Sequence, residues 1–450
     1  EIVLHVAEDS LEFLEESKIR ELLNKYNKFM PIPIKFGTKT ETLPKPEDAP
    51  EDYTAETIEV DNIINNPNPA WTKQPVDLKD EDYKNFYREL YPMQFEEPLF
   101  HIHLNVDYPF NLTGILYFPK LGADLQIQRD KIQLFQNQVY VTDNVEGIVP
   151  EFLMMLRGVV DSPDIPLNVS RSGLQADGAV KKISNYITRK VADKLKSLFN
   201  ENRADFETKW NDIKIVLEYG MLSEDKFYEK AGAFVLYPTV DDKYFTLEEL
   251  KEAIKENQTD KDGKLVVLYA GNKEAQHSYI EIAKDKGYQV LLLDSPIIPH
   301  LIQKLESDNS GLTFVRVDSD HIDNLIKKEE TAISKLSTEE QESLKTVVET
   351  IVPKQTYTVQ LEALDSSAAP FIITQPEFMR RMKEMSQTGG GGMFGMGNFP
   401  EMYNLVVNTN SDLATSILNN EDKTVQENLV KQALDLAKLS QNLLKGEALT

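Results

Sequence analysis

Residues Val139 to Phe199 read VYVTDNVEGIVPEFLMMLRGVVDSPDIPLNVSRSGLQADGAVKKISNYITRKVADKLKSLF, and changes of pattern divide them into four pieces. Val139 to Thr142 is a short β-branched and aromatic run, expected as a strand, and Val149 to Val160 is apolar and reads as helical turns. Asp161 to Asp177 is punctuated by Pro, Ser and Gly and reads as a loop. Val180, Ile183, Ile187, Val191, Leu195 and Leu198 then recur at spacings of three and four, which predicts a helix. The loop carries one cation, Arg171, with Gln175 four residues on. A loop fixed between two apolar helices presents a guanidinium at a defined place, as phosphate recognition requires. The competing reading pairs Arg171 with Asp161, Asp164 or Asp177.

Working outward, 450 residues are too many for one core and suggest two to four domains. With 41% hydrophobic and 27% charged residues the composition is globular, and no stretch approaches the ~20 apolar residues of a membrane span. The balance of 74 Asp and Glu against 49 Lys and Arg, a net charge of -25, argues against nucleic acid as a ligand. Cysteine is absent, which removes disulfides, thiolate metal sites and cysteine nucleophiles and is compatible with a reducing compartment. The first residues, EIVLHVAEDS, lack signal-peptide regions and an initiator methionine, so the chain is expected to start inside a longer gene product.

Ile2 to Val6 reads as a lone strand, and Glu8, Asp9 and Ser10 open an amphipathic helix that runs through Leu11, Leu14, Ile19, Leu22, Leu23 and Tyr26 to a stop at Pro31 and Pro33. Residues 41 to 61, rich in acids and prolines, read as a surface excursion. Leu104 to Val106, Thr113 to Phe118, Leu125 to Ile127 and Leu134 to Val141 read as strands. His101 and His103 would share a strand face, but two histidines without a third ligand are weak evidence for a metal. Asn200 to Tyr219 is helical, and residues 221 to 256 read as helices broken at Pro238 to Lys243.

Leu265 to Ala270, Lys273 to Lys286 and Gln289 to Leu293 then form a strand, helix, strand series, a parallel crossover unit. Its first turn, Ala270-Gly271-Asn272-Lys273, lacks the glycines that let backbone approach a pyrophosphate, so the unit reads as scaffold rather than as a dinucleotide site. A short amphipathic helix spans 297 to 306 and a charged one Asp320 to Glu349, and Tyr357 to Ala363 and Leu405 to Asn408 read as strands.

Between those strands, Phe378, Met382 and Met385 lie along one face of a helix from Pro376 to Met385, and six of the eleven methionines fall between Met379 and Met402. Flexible thioethers suit a surface that adapts to many apolar partners, although such a stripe is more often core or interface. Gly390, Gly392 and Gly395 fit a phosphate-loop pattern but follow a helix, so they read as a flexible loop. Val425, Leu429, Leu436, Leu439 and Leu443 mark a terminal helix that needs a partner helix.

The words DNVEGIVPEFL, RGVVDSPDIPLNVSR and LQ, with PAWTK, EDYKNFYRELY and GILYFPK upstream, resemble the ninety-kilodalton heat-shock chaperone family in its bacterial, high-temperature protein G type. That resemblance covers almost the whole chain and implies the middle and carboxy-terminal domains without the amino-terminal ATPase domain. The fold class it implies is α/β, α+β overall. An αβα sandwich-type middle domain leads to a smaller βαβ-containing domain and an α+β dimerisation domain ending in helices. The expected bounds are 1–10 for a remnant of the ATP-binding domain, 11–200 and 201–320 for the two middle subdomains, and 321–450 for the carboxy-terminal domain.

By the same resemblance the chain is a fragment of an ATP-dependent, cytoplasmic, homodimeric chaperone of the stress response that binds partly folded client proteins. Arg171 is similar to the family's catalytic arginine, which reaches the γ-phosphate of ATP and its Mg held by the other domain, and Gln175 to its loop companion. Gly173 stands where many relatives have a longer side chain, and His300 where the bacterial family has an aromatic. Trp71, Phe378, Met379, Met382 and Met385 are implied as client contacts, Trp71 from an exposed loop, and Leu429, Leu436, Leu439 and Leu443 as dimer contacts. Alone, the chain is expected not to hydrolyse ATP. A stand-alone α/β nucleotide-binding enzyme and a passive dimeric scaffold are the alternatives.

Overall fold

A computed structural model describes residues 1–44, 54–120, 131–166, 178–327, 332–388, 401–441 and 443–444. The chain divides into two compact units, Glu1–Ala231 and Gly232–Thr450. The first contains α1 (Glu16–Tyr26), β1 (Lys35–Thr42), β2 (Thr57–Ile63), α2 (Asp80–Leu90), β3 (Phe100–Val106), β4 (Leu112–Phe118), β5 (Ile132–Gln136), β6 (Val139–Thr142), β7 (Arg157–Asp161), α3 (Gly178–Glu201), α4 (Arg203–Ser223) and α5 (Asp225–Ala231). Helices α4 and α5, expected in a separate small subdomain, cluster with this unit.

Its central sheet has the order β3-β4-β7-β5-β6, antiparallel except for the parallel pair β5/β7. Strand β4 is buried on both faces. Alternation sends Ile115 and Tyr117 into an aromatic cluster with Phe29, Trp71, Phe86, Tyr87 and Phe135, and sends Leu112, Leu116 and Phe118 to the opposite face, which is equally buried. Helix α3 lies against β3, and its Ile183, Ile187, Val191 and Leu195 are all buried, as their spacing predicts.

The run Val149 to Val160 is not helical beyond a short 3-10 turn at Glu151–Leu153, because Arg157–Asp161 is the strand β7 at the middle of the sheet. A continuous apolar run does not discriminate a fully buried strand from a buried helix by periodicity. Gly158 is why the strand fits there. It sits at φ 130°, and a Cβ would stand 2.0 Å from the carbonyl oxygen of Ile115 on β4. Ile2 to Val6 forms no strand: it has no ladder partner among the described residues, and Ile2, Val3 and Leu4 are exposed.

Residues 41 to 61 are more regular than expected, since β1 and β2 pair as an antiparallel ladder on either side of residues 45–53, which lie outside the described residues. Both strands are largely exposed, so backbone hydrogen bonds and β-branched residues make this hairpin without the apolar alternation that would have announced it. Leu125 to Ile127, also expected as a strand, lies outside the described residues.

The second unit begins with the small ladder β8 (Tyr237–Pro238) and β9 (Tyr244–Phe245), then α6 (Leu247–Ile254). The expected crossover follows: β10 (Leu265–Ala270), α7 (His277–Asp285) and β11 (Val290–Leu292), with α8 (Ile298–Asp308) leading to β12 (Leu312–Arg316). These strands form a parallel sheet in the order β11-β10-β12. The expected long charged helix is instead a short α9 (Ile322–Leu325) and, after a break, α10 (Thr338–Ile351), whose capping box of Ser337 and Glu340 sets its start.

A second sheet, order β13-β15-β14, comprises β13 (Tyr357–Glu362), β14 (Phe371–Thr374) and β15 (Tyr403–Asn408), with α11 (Glu377–Thr388) between the last two. Helices α10, α12 (Asp412–Leu418) and α13 (Lys423–Ser440) share its core through Leu344, Val348, Ile417, Val430 and Leu434. We expect Gly158→Ala to lower the stability of the first unit by several kcal/mol, about 1–3 for overpacking plus the added backbone strain. A urea midpoint followed by circular dichroism measures it.

Candidate functional site

The loop of Arg171 and Gln175 lies within 167–177, outside the described residues, but both of its flanks are described. On the incoming side, β7 ends at Asp161, whose side chain is only 6% exposed. Its Oδ1 accepts the Asn137 amide at 2.8 Å, and its Oδ2 accepts the Gln138 amide at 2.9 Å and the Trp71 indole Nε1 at 3.1 Å. Asn137 and Gln138 have φ of 52° and 64°, the left-handed pair of a tight turn joining β5 to β6, made without glycine. One carboxylate therefore holds the hairpin, Trp71 and the start of the loop together. Burial raises its pKa, against the three hydrogen bonds that lower it.

The next turn is tied down as well. Asp164 Oδ2 accepts the Asn111 amide at 2.5 Å, Ser162 Oγ donates to the Asn111 carbonyl at 2.5 Å, and Gln136 Nε2 donates to the Pro163 carbonyl at 3.2 Å. Two of the three acids considered as partners for Arg171 thus serve the backbone of their own sheet. On the outgoing side α3 starts at Gly178.

Trp71 departs from the expected exposed client loop. It is fully buried, packed on Phe29, Phe86 and Phe135 at centroid distances of 4.9, 5.5 and 5.1 Å. A ring of that size gains most by burial, and Asp161 supplies the acceptor its N–H needs inside. His101 and His103 do share one side of β3, where His101 stacks on Tyr83 at 3.6 Å and His103 Nδ1 meets the Tyr83 hydroxyl at 2.9 Å. No group of three or more acidic or histidine residues arranged for a metal occurs among the described residues.

In the second unit, α11 carries the expected apolar face outward: Phe378 is 72% exposed, and Met379, Met382 and the half-buried Met385 continue it. Its arginines point the other way, with Arg380 buried. Burial opposes ionisation of Glu377, but Arg380 and Arg381 together hold its carboxyl below the usual glutamate range. Of the expected terminal stripe, Leu436 and Leu439 of α13 are exposed and Leu429 of α13 packs on the core of its own unit, whereas Leu443 lies beyond the end of the helix at Ser440 and packs on that same core.

The crossover turn is closed to phosphate. Gln276 Oε1 accepts both the Gly271 amide at 2.8 Å and the Asn272 amide at 3.0 Å, taking the donors a phosphate would use. A crevice of about 460 Å³ opens at the carboxyl ends of β10 and β12, but its cations Arg316 and Arg380 are already paired with Asp318 and Glu384. His300 is half-buried on α8.

The Hsp90 protein family profile matches residues 38–437. The chain belongs to the Hsp90 family. It is 52% identical over 425 residues to the chaperone protein HtpG of Bacteroides thetaiotaomicron, covering 94% of this chain and 61% of that protein. Against chaperone protein HtpG of Porphyromonas gingivalis the identity is 51% over 442 residues, 98% of this chain and 63% of that one. A more distant HtpG, from Idiomarina loihiensis, is 28% identical over 441 residues, 95% of this chain and 67% of its own length. The chain therefore spans somewhat under two thirds of the length of the first two relatives. As an Hsp90-family chain it has no described helix long and apolar enough to cross a membrane.

Two features of this Hsp90 chain escaped the sequence reading: Asp161 as a structural hub, and the Glu377, Arg380 and Arg381 cluster. The second had a signal in its i, i+3 and i+4 spacing. The first had none, because its partners are 90 and 23 to 24 residues away.

His101 yields a pH prediction. Burial, and then Lys194, lower its pKa to about 4, while Asp80 opposes them. The folded state then resists a proton that the unfolded state accepts near the ordinary 6.5, so this contribution to stability is whole above pH 6.5 and declines as pH falls towards 4. Urea midpoints at pH 7 and pH 5 are expected to differ less in His101→Phe than in the parent.

Proposed function

We propose that this chain is the client-binding and catalytic-loop portion of an ATP-dependent Hsp90-family chaperone. The observation that carries the reading is α11, on which Phe378, Met379 and Met382 face solvent while Arg380 is buried. A soluble chain exposes a large flexible apolar face where a partner covers it. Partly folded proteins, which show apolar segments to water, fit a face of methionines that repacks around different side chains. Met385 completes the face, and Trp71 has no part in it.

Arg171 is assigned the neutralisation of charge on the γ-phosphoryl group of ATP, bound with its Mg by an amino-terminal domain outside this chain, and Gln175 the support of the closed loop. The tied flanks at Asp161, Ser162 and Asp164 support this role, since a guanidinium stabilises transferred charge only from a defined position. The exposed Leu436 and Leu439 are assigned to a homodimer contact through α13, with Leu429 on the same helix and Leu443 after it packed on the core of the unit. Two copies would let weak client contacts act together. The compartment proposed is the cytoplasm. The occupied crossover turn disfavours a stand-alone nucleotide-binding enzyme, and the exposed face of α11 disfavours a passive scaffold.

Two experiments test the reading. Phe378→Glu with Met382→Glu is expected to abolish most of the protection this chain gives an aggregating protein in light scattering, with circular dichroism unchanged. Full protection by the double variant rejects the client face. Arg171→Ala in the full-length protein is expected to lower ATP turnover about 10- to 1000-fold, as for loss of one charge-stabilising donor, with ATP affinity nearly unchanged. An unchanged turnover rejects the catalytic assignment.

A further inference from the structure

Helix α11 is attached to its unit through charge more than through apolar burial. Among its described side chains Phe378, Met379 and Met382 are exposed, and the buried one is Arg380, 5% accessible. Beneath the helix, Glu377 Oε1 collects three donors: Arg380 Nη2 at 2.7 Å, Arg381 Nε at 2.7 Å and the Tyr269 hydroxyl of β10 at 2.8 Å. Arg381 continues to Glu306 Oε2 of α8 at 2.9 Å and to the Phe314 carbonyl of β12 at 2.6 Å. Arg380 Nη1 binds Glu384 Oε2 at 2.7 Å one turn on, and Glu384 Oε1 meets Arg316 Nη1 of β12 at 3.4 Å.

The geometry points to Glu377 as a positioning residue that orients two arginines towards the β10/β12 sheet and so keeps the apolar face of α11 directed at solvent. An amphipathic helix left to itself turns its apolar side inward. Here the inward side is guanidinium, and guanidinium is stable there only while carboxylates meet its fixed fork of donors. Among the described residues, Glu377 is the acid that touches both arginines and the sheet. Without it, Arg380 would rely on Glu384 and Arg381 on Glu306, neither of which joins the two arginines, and α11 would be freer to roll and cover Phe378 and Met382. The consequence for activity rests on the proposed client face, whereas the anchoring itself does not.

Hydrogen exchange on the intact chain separates the two. Glu377→Gln is expected to speed exchange of the α11 amides about tenfold or more while those of β10 and β12 keep their protection. Protection of an aggregating protein should fall as it does for the face variant. Unchanged α11 exchange overturns the proposal, as does equal acceleration throughout the sheet, which marks general destabilisation. Faster α11 exchange with full chaperone protection sustains the anchor and rejects the client face. Should Glu377→Gln not fold, Tyr269→Phe removes one of the three donors and is expected to shift α11 exchange the same way by less, with no shift counting against the anchor. Glu377→Asp, which keeps the charge, is expected to restore part of the protection.

Discussion

A carboxylate taken out of water must be met by donors, and each unit of this chain is organised around one that is. Asp161 in the first unit and Glu377 in the second each collect three hydrogen bonds. Their environments differ in one respect with large consequences. The donors to Asp161 are neutral N–H groups, so burial prevails and its pKa rises. Those to Glu377 include two guanidiniums, so the charged form prevails despite burial. The first is a structural hinge pin of neutral donors, and the second an ionic anchor.

Position matters more than strength in both. Asp161 closes the central strand β7 and stands where the chain leaves the sheet for the loop of Arg171, so the same group that holds a glycine-free tight turn and Trp71 also fixes where that loop departs. Glu377 opens α11, where the first helical turn has spare amides and tolerates an acid well. From there it directs the two arginines inward and the methionines outward. The assignments of the catalytic loop and the client face therefore depend on rigid supports built from residues that would not themselves touch ATP or a client.

Much of this was legible in the chain. The spacing from Val180 to Leu195, the crossover of β10, α7 and β11, the shared helix face of Phe378 and Met382 and the absence of a glycine-rich turn in that crossover all follow from local pattern, because periodicity and turn chemistry are local. What was not legible shares a cause. Strand β7 reads as helix from its sequence because a strand buried on both faces has no alternation. The β1/β2 hairpin was missed because it has no buried face. Trp71 was expected outside because a resemblance names a residue's role but not the Phe29, Phe86 and Phe135 rings that enclose it. The terminal stripe was expected to face one partner, and Leu429 and Leu443 turned out to serve their own core.

The amino-acid order by itself determined the family, the mixed α/β class, the helices with strong spacing and the candidate guanidinium at Arg171. Only the tertiary structure decided which charged groups are buried and what meets them. Asp161 finds Trp71 across 90 residues and Arg381 finds Glu306 across 75, and nothing in the neighbourhood of either residue records such a meeting. The physical reason is that desolvation is a property of the enclosing fold: the same carboxylate is an ordinary surface acid or the centre of a network according to what packs over it.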